Sequence, residues 1–379
     1  MCLSGAEKAH VGTCYLHGAR PWYARRVSLW KARASALLGV ALALSTLPAA
    51  AVPPRAPKAA AKKEVARTPI ELKIPLQRFT LDNGLRVVIN VDRTSPTVAV
   101  AVTYDVGSRD EERGRSGFAH LFEHMMFQGS KNVPKGDHFK LISSHGGTLN
   151  GTTNGDRTNY FEVLPASELA LGLWLEADRM KSLDVSQDNF ENQRKVVQEE
   201  YRMRYSNAPY GLSHTKLSEL IFQGYFPYEH PTIGSMADLD GAKIEWVRAF
   251  HAAHYGPNTA VLTIAGDVDA AEATKLVHQY FDAIPKIQAA SFVDPPLPEQ
   301  TSPRTAVHKD EIARTPGLLY GWAVPNARHA DAPALEIAAS ILGDGESSPS
   351  DQLKSQWMST SSRVAVFGST FDSGETWLS

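Results

Sequence analysis

The chain has 379 residues, of which 43% are hydrophobic, and a formal net charge of −2, values that suit a globular protein with room for two domains. Because the charge is balanced, the sequence lacks the excess of Lys and Arg that binds nucleic acid, which excludes nucleic-acid binding as its function. Both cysteines, Cys2 and Cys14, precede the predicted mature start, so the folded part should contain no thiol or disulfide and should hold any metal through nitrogen and oxygen.

The first 75 residues have the composition of a leader followed by a linker. Basic residues precede a mostly apolar run at 36–47, and small residues offer a cleavage site after Ala51. The run is short for a transmembrane span, which leaves an uncleaved anchor as the alternative. Residues 1–51 are therefore predicted to be an export signal, directing the protein to a bacterial periplasm, and the Pro-, Ala- and Lys-rich residues 52–75 to be a linker.

Strand and helix patterns alternate over residues 76–290. A turn at Asp82-Asn83-Gly84 marks a hairpin, and Ser116 and Ser167 are predicted helix N-caps. The predicted strands cover 78–81, 85–89, 97–104, 148–152, 158–164 and 260–267. The predicted helices run between Ser116 and Gly129, over 137–144, from Ser167 to Met180, around Glu200, and over 244–255 and 270–281.

The first of these helices carries the motif His120-x-x-Glu123-His124. Because each helical residue turns by about 100°, all three side chains project from one face. Two imidazoles at i and i+4 can share one Zn²⁺, and the Glu123 carboxylate can take a proton from a metal-bound water. The alternative is an accidental match, which should occur in roughly a few per cent of chains of this composition.

Glu200 is the candidate for a third metal ligand. Val196 and Val197 are predicted to mark the inward face of its helix, and Glu200 follows them at i+4 and i+3, whereas Glu199 falls on the solvent side. A carboxylate on an apolar stripe needs a partner, and two histidines with a metal would supply one. A solvated acidic pair is the alternative.

The motif at 120–124, together with Glu200 in an E-E-x-R-M-R context, resembles the inverzincin metallopeptidases of the pitrilysin, insulin-degrading enzyme and mitochondrial processing peptidase family. The similarity runs from about residue 78 to about residue 348. Within it, 146–150 and 156–161 resemble the family's edge strand beside the active site, and 255–259 the lead into its last strand.

The resemblance implies an α+β fold, with a mostly antiparallel sheet flanked by helices, and one zinc site. It assigns His120, His124 and Glu200 to Zn²⁺, Glu123 to catalysis and Asn150 to substrate binding on the edge strand. Gln193 stands where many relatives carry a second acidic residue that supports the metal.

A second, incomplete copy of the same domain is predicted over 296–379, after a complete zinc peptidase domain at 76–290. Residues 317–324 would match the strand 97–104, and 331–343 the zinc helix, without its motif. The family continues with an amphipathic helix where 349–359 has no apolar period, which a frameshift and early termination would explain. Residues 363–368 again have a strand pattern.

Five other histidines are further candidates for the site. His251 and His254 are predicted to be helix-surface residues, and His138 and His145 to be exposed near the edge strand. His230 lies near a loop of the family and is predicted to lie outside the site, with contact to the site as the alternative.

The sequence therefore predicts an exported zinc endopeptidase that cleaves extended peptides, with a second homologous subunit or domain as a further partner. The alternatives are a non-catalytic partner subunit and a metal-binding chaperone of the export pathway. An intact Glu123 argues against a purely binding role, which has no chemical need for it.

Overall fold

The computed structural model describes residues 74–314, 316–343, 364–368 and 374–378. All of them belong to one compact unit, Leu72–Ser379. The predicted export signal, nearly all of the predicted linker and the stretch 349–359 lie outside the described residues. Within the described ranges, no helix is both long enough and apolar enough to cross a bilayer.

A six-stranded sheet organises the larger part of the described chain. Its strands are β1 (Gln77–Thr80), β2 (Arg86–Val91), β3 (Thr97–Tyr104), β4 (Thr148–Thr153), β5 (Thr158–Pro165) and β6 (Ala260–Gly266). They lie in the order β1-β2-β6-β3-β5-β4, and every neighbouring pair is antiparallel except β2 with β6, which is parallel. The predicted α+β class, with a mostly antiparallel sheet, is confirmed.

Ten helices are described, between the strands of this sheet and after its last strand. They are α1 (Phe118–Met125), α2 (Asp137–Ser144), α3 (Leu169–Ser182), α4 (Gln187–Tyr201), α5 (Gly211–Ile221), α6 (Phe226–Glu229), α7 (Met236–Gly241), α8 (Ile244–His254), α9 (Ala270–Phe281) and α10 (Ala332–Gly343). The predicted bounds 137–144 and 270–281 agree with α2 and α9 residue for residue. A π-helical turn, Arg202–Ser206, continues α4.

The core lies on the face of the sheet that the helices cover. Val98, Val100 and Val102 of β3 are fully buried, as are Leu262 and Ile264 of β6, because successive strand residues point to opposite faces. Burying each such aliphatic side chain contributes roughly 1.5–3 kcal/mol. The helix α1, which carries two of the proposed metal ligands, contacts β4 and β5 of this sheet.

Both predicted N-caps are wrong, because both serines have other roles. The N-cap of α1 is Gly117, at φ +94°, while the Ser116 hydroxyl donates to Asp238 Oδ2 at 2.5 Å. Ser167 lies inside the 3₁₀ turn Ala166–Glu168 that precedes α3. A side chain that caps a helix must accept from its first N–H groups, and neither hydroxyl does so.

A buried ionic cluster lies between β5 and α3. It contains Glu162, Glu176 and Arg179, all at most 2% exposed, and His138 of α2 at 3% exposed. The prediction that His138 is exposed is therefore wrong, and burial lowers the pKa of its imidazole to about 2. Ligand atoms of His138 and the two glutamates lie within 4.8 Å of one another.

Only one of the two buried carboxylates has an ionic partner at hydrogen-bond distance among the described residues. Arg179 Nε donates to Glu176 Oε2 at 2.9 Å, and Arg179 Nη2 donates to Glu176 Oε1. Neither oxygen of Glu162 has a hydrogen-bond partner in the described part of the chain. Burial, reinforced by the nearby Glu176 charge, raises the pKa of Glu162 well above its usual value, which favours the protonated carboxyl.

The described residues after 316 include a second, three-stranded sheet. Its strands are β7 (Tyr320–Val324), β8 (Val364–Gly368) and β9 (Gly374–Leu378). They lie in the order β7-β9-β8 with both pairs antiparallel. The strands predicted at 317–324 and 363–368 and the helix at 331–343 are observed as β7, β8 and α10, whereas no element was predicted at β9.

Candidate metal centre and active site

Helix α1 presents the sequence motif because its apolar residues fix the opposite face in the core. Phe118, Leu121, Phe122 and Met125 are buried, and their spacing of three and four residues defines the inward stripe. Tyr160 of β5 reaches the same helix through its hydroxyl, which donates to the Phe122 carbonyl at 3.1 Å. His120, Glu123 and His124 are left on the side of a surface cavity.

Helix α4 brings Glu200 to this cavity, although not by the face that was predicted. Val197 is fully buried, but Val196 is 43% exposed, so the prediction that both mark the inward face is wrong. The inward stripe instead runs through Phe190, Gln193 and Val197 at helical spacing, and Glu200 is its next member. Glu199 lies in solvent, where its carboxylate pairs with Arg202 at 2.6 Å.

The three candidate ligands converge. Glu200 Oε2 lies 3.7 Å from His120 Nε2 and 3.3 Å from His124 Nε2. Ligand atoms bonded at 2.0–2.1 Å to a tetrahedral zinc ion lie about 3.3–3.4 Å apart, so the observed separations fit such an ion. Arg204 Nη1 contacts the other Glu200 oxygen, Oε1, at 3.1 Å, which leaves Oε2 turned toward the imidazoles.

Electrostatics keep at least one of the two imidazoles ready to bind a cation. Burial, with added repulsion from His124 and Arg204, lowers the pKa of His120 to about 3. A neutral imidazole offers a lone pair, which is the form that binds zinc. The donor set of two imidazole nitrogens and one carboxylate oxygen is also the set used by several zinc hydrolases.

Glu123 is held apart from the three converging ligand atoms by a residue that the sequence analysis did not identify. Thr153 of β4 donates its hydroxyl hydrogen to Glu123 Oε2 at 2.6 Å. On the same strand face, a Cβ on Gly151 would lie 3.0 Å from Glu123 Cγ, so the strand and helix approach closely at that glycine. Gly151 and Thr153 are two residues apart on one strand and therefore lie on the same face, and this spacing is the sequence signal that could have identified Thr153.

The cavity has a volume of about 570 Å³ and is open to solvent. Its lining residues are His120, Glu123, His124, Gly151, Thr152, Thr153, Glu200, Arg204, Tyr205, Thr232 and Ile233. Asn150, the predicted substrate-binding residue, lies on the edge strand, but its exposed side chain is outside this lining and accepts from the Gly151 N–H at 2.9 Å.

Gln193 is buried on the inward stripe of α4. Its amide nitrogen donates to Asn192 Oδ1 at 2.9 Å. Among the described residues, no hydrogen bond joins Gln193 to the three candidate ligands, and His120 Nδ1 is buried without a partner. The predicted supporting role of Gln193 stays a prediction.

Among the described residues, no other histidine joins the group of three candidate ligands. His251 and His254 lie on α8, as predicted, and are partly buried, which lowers the pKa of each to about 4. His145 is exposed, with Nδ1 2.8 Å from the Leu141 carbonyl. His230 does not line the cavity, but its Nε2 lies 3.0 Å from Glu111 Oε2.

Comparisons with known proteins agree with these features. Residues 86–226 match the model of the insulinase family, peptidase family M16, and residues 243–372 match that of the M16 inactive domain. The chain is 34% identical over 276 residues to the zinc protease PqqE of Helicobacter pylori, covering 72% of this chain and 62% of that protein. It is 33% identical over 204 residues to an uncharacterised zinc protease of Mycobacterium leprae, covering 54% and 45%.

A solved structure of a protease from Helicobacter pylori superposes with a TM-score of 0.74 at 29% identity, covering 81% of this chain and 74% of that one. The chain spans less than two thirds of the length of the zinc protease PqqE and of the Mycobacterium leprae protein. The two family matches follow one another along the chain and include all three candidate ligands in the first. The chain belongs to peptidase family M16, the insulinase family.

Proposed function

We propose that this chain is a zinc-dependent endopeptidase that hydrolyses extended peptides. The observation that carries the proposal is the convergence of His120, His124 and Glu200 at separations suited to tetrahedral zinc. Beside them, Glu123 has a fixed carboxylate in the same cavity. A ligand set with an adjacent, separately held carboxylate is the arrangement that metal-assisted hydrolysis needs.

A zinc ion bound by the three ligands would supply Lewis acidity for the scissile carbonyl and lower the pKa of a water molecule that it binds. Glu123 acts as the general base, taking a proton from the attacking water and returning it to the leaving amine. Thr153 fixes one oxygen of this carboxylate by its hydrogen bond, so Glu123 Oε1 is the oxygen available for proton transfer. Arg204 fixes Glu200 in a similar way through Oε1.

The substrate is proposed to bind by adding a strand to the sheet at β4. This strand is the last in the six-stranded order and pairs on one side with β5. The Asn150 side chain accepts from the Gly151 N–H, and it would exchange this bond for one to an incoming peptide. Recognition through backbone hydrogen bonds favours extended peptides over a particular side-chain sequence.

A non-catalytic partner subunit is the second candidate, supported by the match of residues 243–372 to the family's inactive domain. The intact Glu123 and its contact with Thr153 favour the enzyme, because a binding subunit needs neither. We also propose that residues 1–51 direct export to the periplasm, and that 76–290 and 296–379 are two successive domains within the one compact unit, the second of them incomplete.

The test is hydrolysis of a quenched fluorescent peptide by the zinc-loaded chain, with Glu123→Gln as the matched variant. The variant should retain about one zinc per chain, because Glu123 is not a ligand, and should lose roughly 10²–10⁴-fold in kcat, because it lacks the base. Loss of zinc from the variant would mean that Glu123 is wrongly assigned. Equal hydrolysis by both proteins would refute the proposed mechanism.

A further inference from the structure

A buried carboxylate outside the catalytic cavity holds the start of the zinc helix. Glu111 Oε2 accepts from the Gly117 N–H, and Glu111 Oε1 accepts from the Ala119 N–H, each at 2.8 Å. Its side chain is completely buried. The first N–H groups of a helix have no partner within the helix and carry partial positive charge, so a negative group at this point stabilises α1.

The same carboxylate binds a histidine from a distant part of the chain. His230 Nε2 lies 3.0 Å from Glu111 Oε2, and His230 Nδ1 lies 2.8 Å from the Phe226 carbonyl oxygen. A carbonyl oxygen can only accept, so Nδ1 must carry a hydrogen, and a second proton lies between Nε2 and the carboxylate. The imidazole therefore connects Glu111, which binds the start of α1, to the Phe226 carbonyl.

The loop that follows His230 forms one wall of the catalytic cavity. Thr232 and Ile233 line that cavity. The loop also contacts the start of α1 through its backbone, since a Cβ on Gly117 would lie 2.6 Å from the Ile233 carbonyl oxygen. Likewise, a Cβ on Gly234 would lie 2.5 Å from the Gly117 nitrogen. Both glycines have positive φ, +94° and +78°, which favours glycine at this contact.

We propose that Glu111 and His230 are positioning residues, which hold the start of the zinc helix and the Thr232–Ile233 wall in one relative position through the hydrogen bond between them. This role rests on the proposed function, since it concerns the geometry of that site. His120 lies one residue after Ala119, whose N–H is bound by Glu111, so a shift at this end of α1 moves a proposed ligand directly.

Two substitutions of His230 separate this role from a general contribution to folding. A Gln side chain places its amide nitrogen near the position of Nε2 and can still donate to Glu111. An Asn side chain places its amide nitrogen near Nδ1 and can donate only to the Phe226 carbonyl. Both replacements are neutral amides, so they differ mainly in which of the two bonds they keep.

The experiment measures zinc affinity by chelator competition, and then kcat and KM for a quenched peptide at saturating zinc, in the full chain and both variants. His230→Asn should bind zinc roughly tenfold more weakly and lose a similar factor in kcat/KM, as removal of an indirect support does at other metal sites. His230→Gln should restore both values to within about threefold of the parent.

Two outcomes would overturn the proposal: unchanged zinc affinity and kcat/KM in His230→Asn, or an equal loss in His230→Gln. Circular dichroism and the urea midpoint of each variant establish that folded protein is being compared. Failure of the parent chain to bind zinc at all would instead refute the proposed function, so the two failures are distinguishable.

Discussion

The buried cluster of Glu162, Glu176 and Arg179 leads to a sharp prediction about stability. Glu176→Gln and Glu162→Gln change the same group to the same amide at two fully buried positions. Only Glu176 accepts from Arg179, so only its replacement removes the ionic partner of a buried guanidinium in the described structure. We expect Glu176→Gln to lower the free energy of unfolding by about 3–5 kcal/mol.

Glu162→Gln should behave differently, because the raised pKa of Glu162 in the folded protein favours a neutral carboxyl. Near pH 4.5 the substitution should change stability by less than about 1 kcal/mol, since an amide replaces a protonated acid of the same shape. Above this pH the unfolded parent releases a proton that the folded parent retains. Titration of Glu162 therefore lowers the parent's free energy of unfolding by up to about 1.4 kcal/mol for each pH unit, and Glu162→Gln lacks this loss.

The assay is urea unfolding of the parent and both variants at pH 5, 6 and 7, followed by circular dichroism at a fixed zinc concentration. We expect Glu162→Gln to gain stability relative to the parent as the pH rises, and Glu176→Gln to be less stable throughout. An equal, large loss in both variants would mean that Glu162 is an ionised partner of Arg179, and would refute the reasoning.

Two predictions concern the proposed site. Glu200→Gln should weaken zinc binding, measured by chelator competition, by more than about 100-fold. The side chain of Glu199 is 64% exposed, so Glu199→Gln should keep the parent affinity. Equal losses would contradict the assignment of Glu200. Thr153→Val removes the hydrogen bond to Glu123 and should lower kcat for a quenched peptide about tenfold with little change in zinc content, and Thr153→Ser should restore it. A Thr153→Val enzyme with the parent's kcat would show that Glu123 needs no such support.

The sequence was most informative where structure depends on neighbours along the chain. The i and i+4 spacing of His120 and His124 requires only that α1 be a helix, and the bounds of α2 and α9 follow from local apolar periods and stop residues. Glu200 was identified correctly as pointing inward, although one of the two residues used to orient its helix, Val196, faces solvent. A helix face that is deduced from only two residues can be wrong by one position and still include the functional residue.

The sequence was least informative where burial depends on distant partners. His138 is polar and follows a loop, and its burial results from contacts with Phe127 and from the ionic cluster on β5 and α3. Ser116 precedes a helix, yet a carboxylate five residues earlier, Glu111, accepts from the first N–H groups of α1. Neither arrangement leaves a periodic pattern, because each depends on tertiary contacts.

The position of β6 has a consequence for the order in which the domain can assemble. This strand lies between β2 and β3, with Leu262 opposite both Val87 and Val102, although it is the last of the six to be synthesised. A nascent chain contains His120, His124 and Glu200 well before it contains the strand that joins the two halves of the sheet. Closing such long loops is slow, and until then β2 and β3 each present an unpaired edge. Synthesis that stalls before residue 260 would therefore leave two unpaired strand edges in the middle of the future sheet, where aggregation competes with folding.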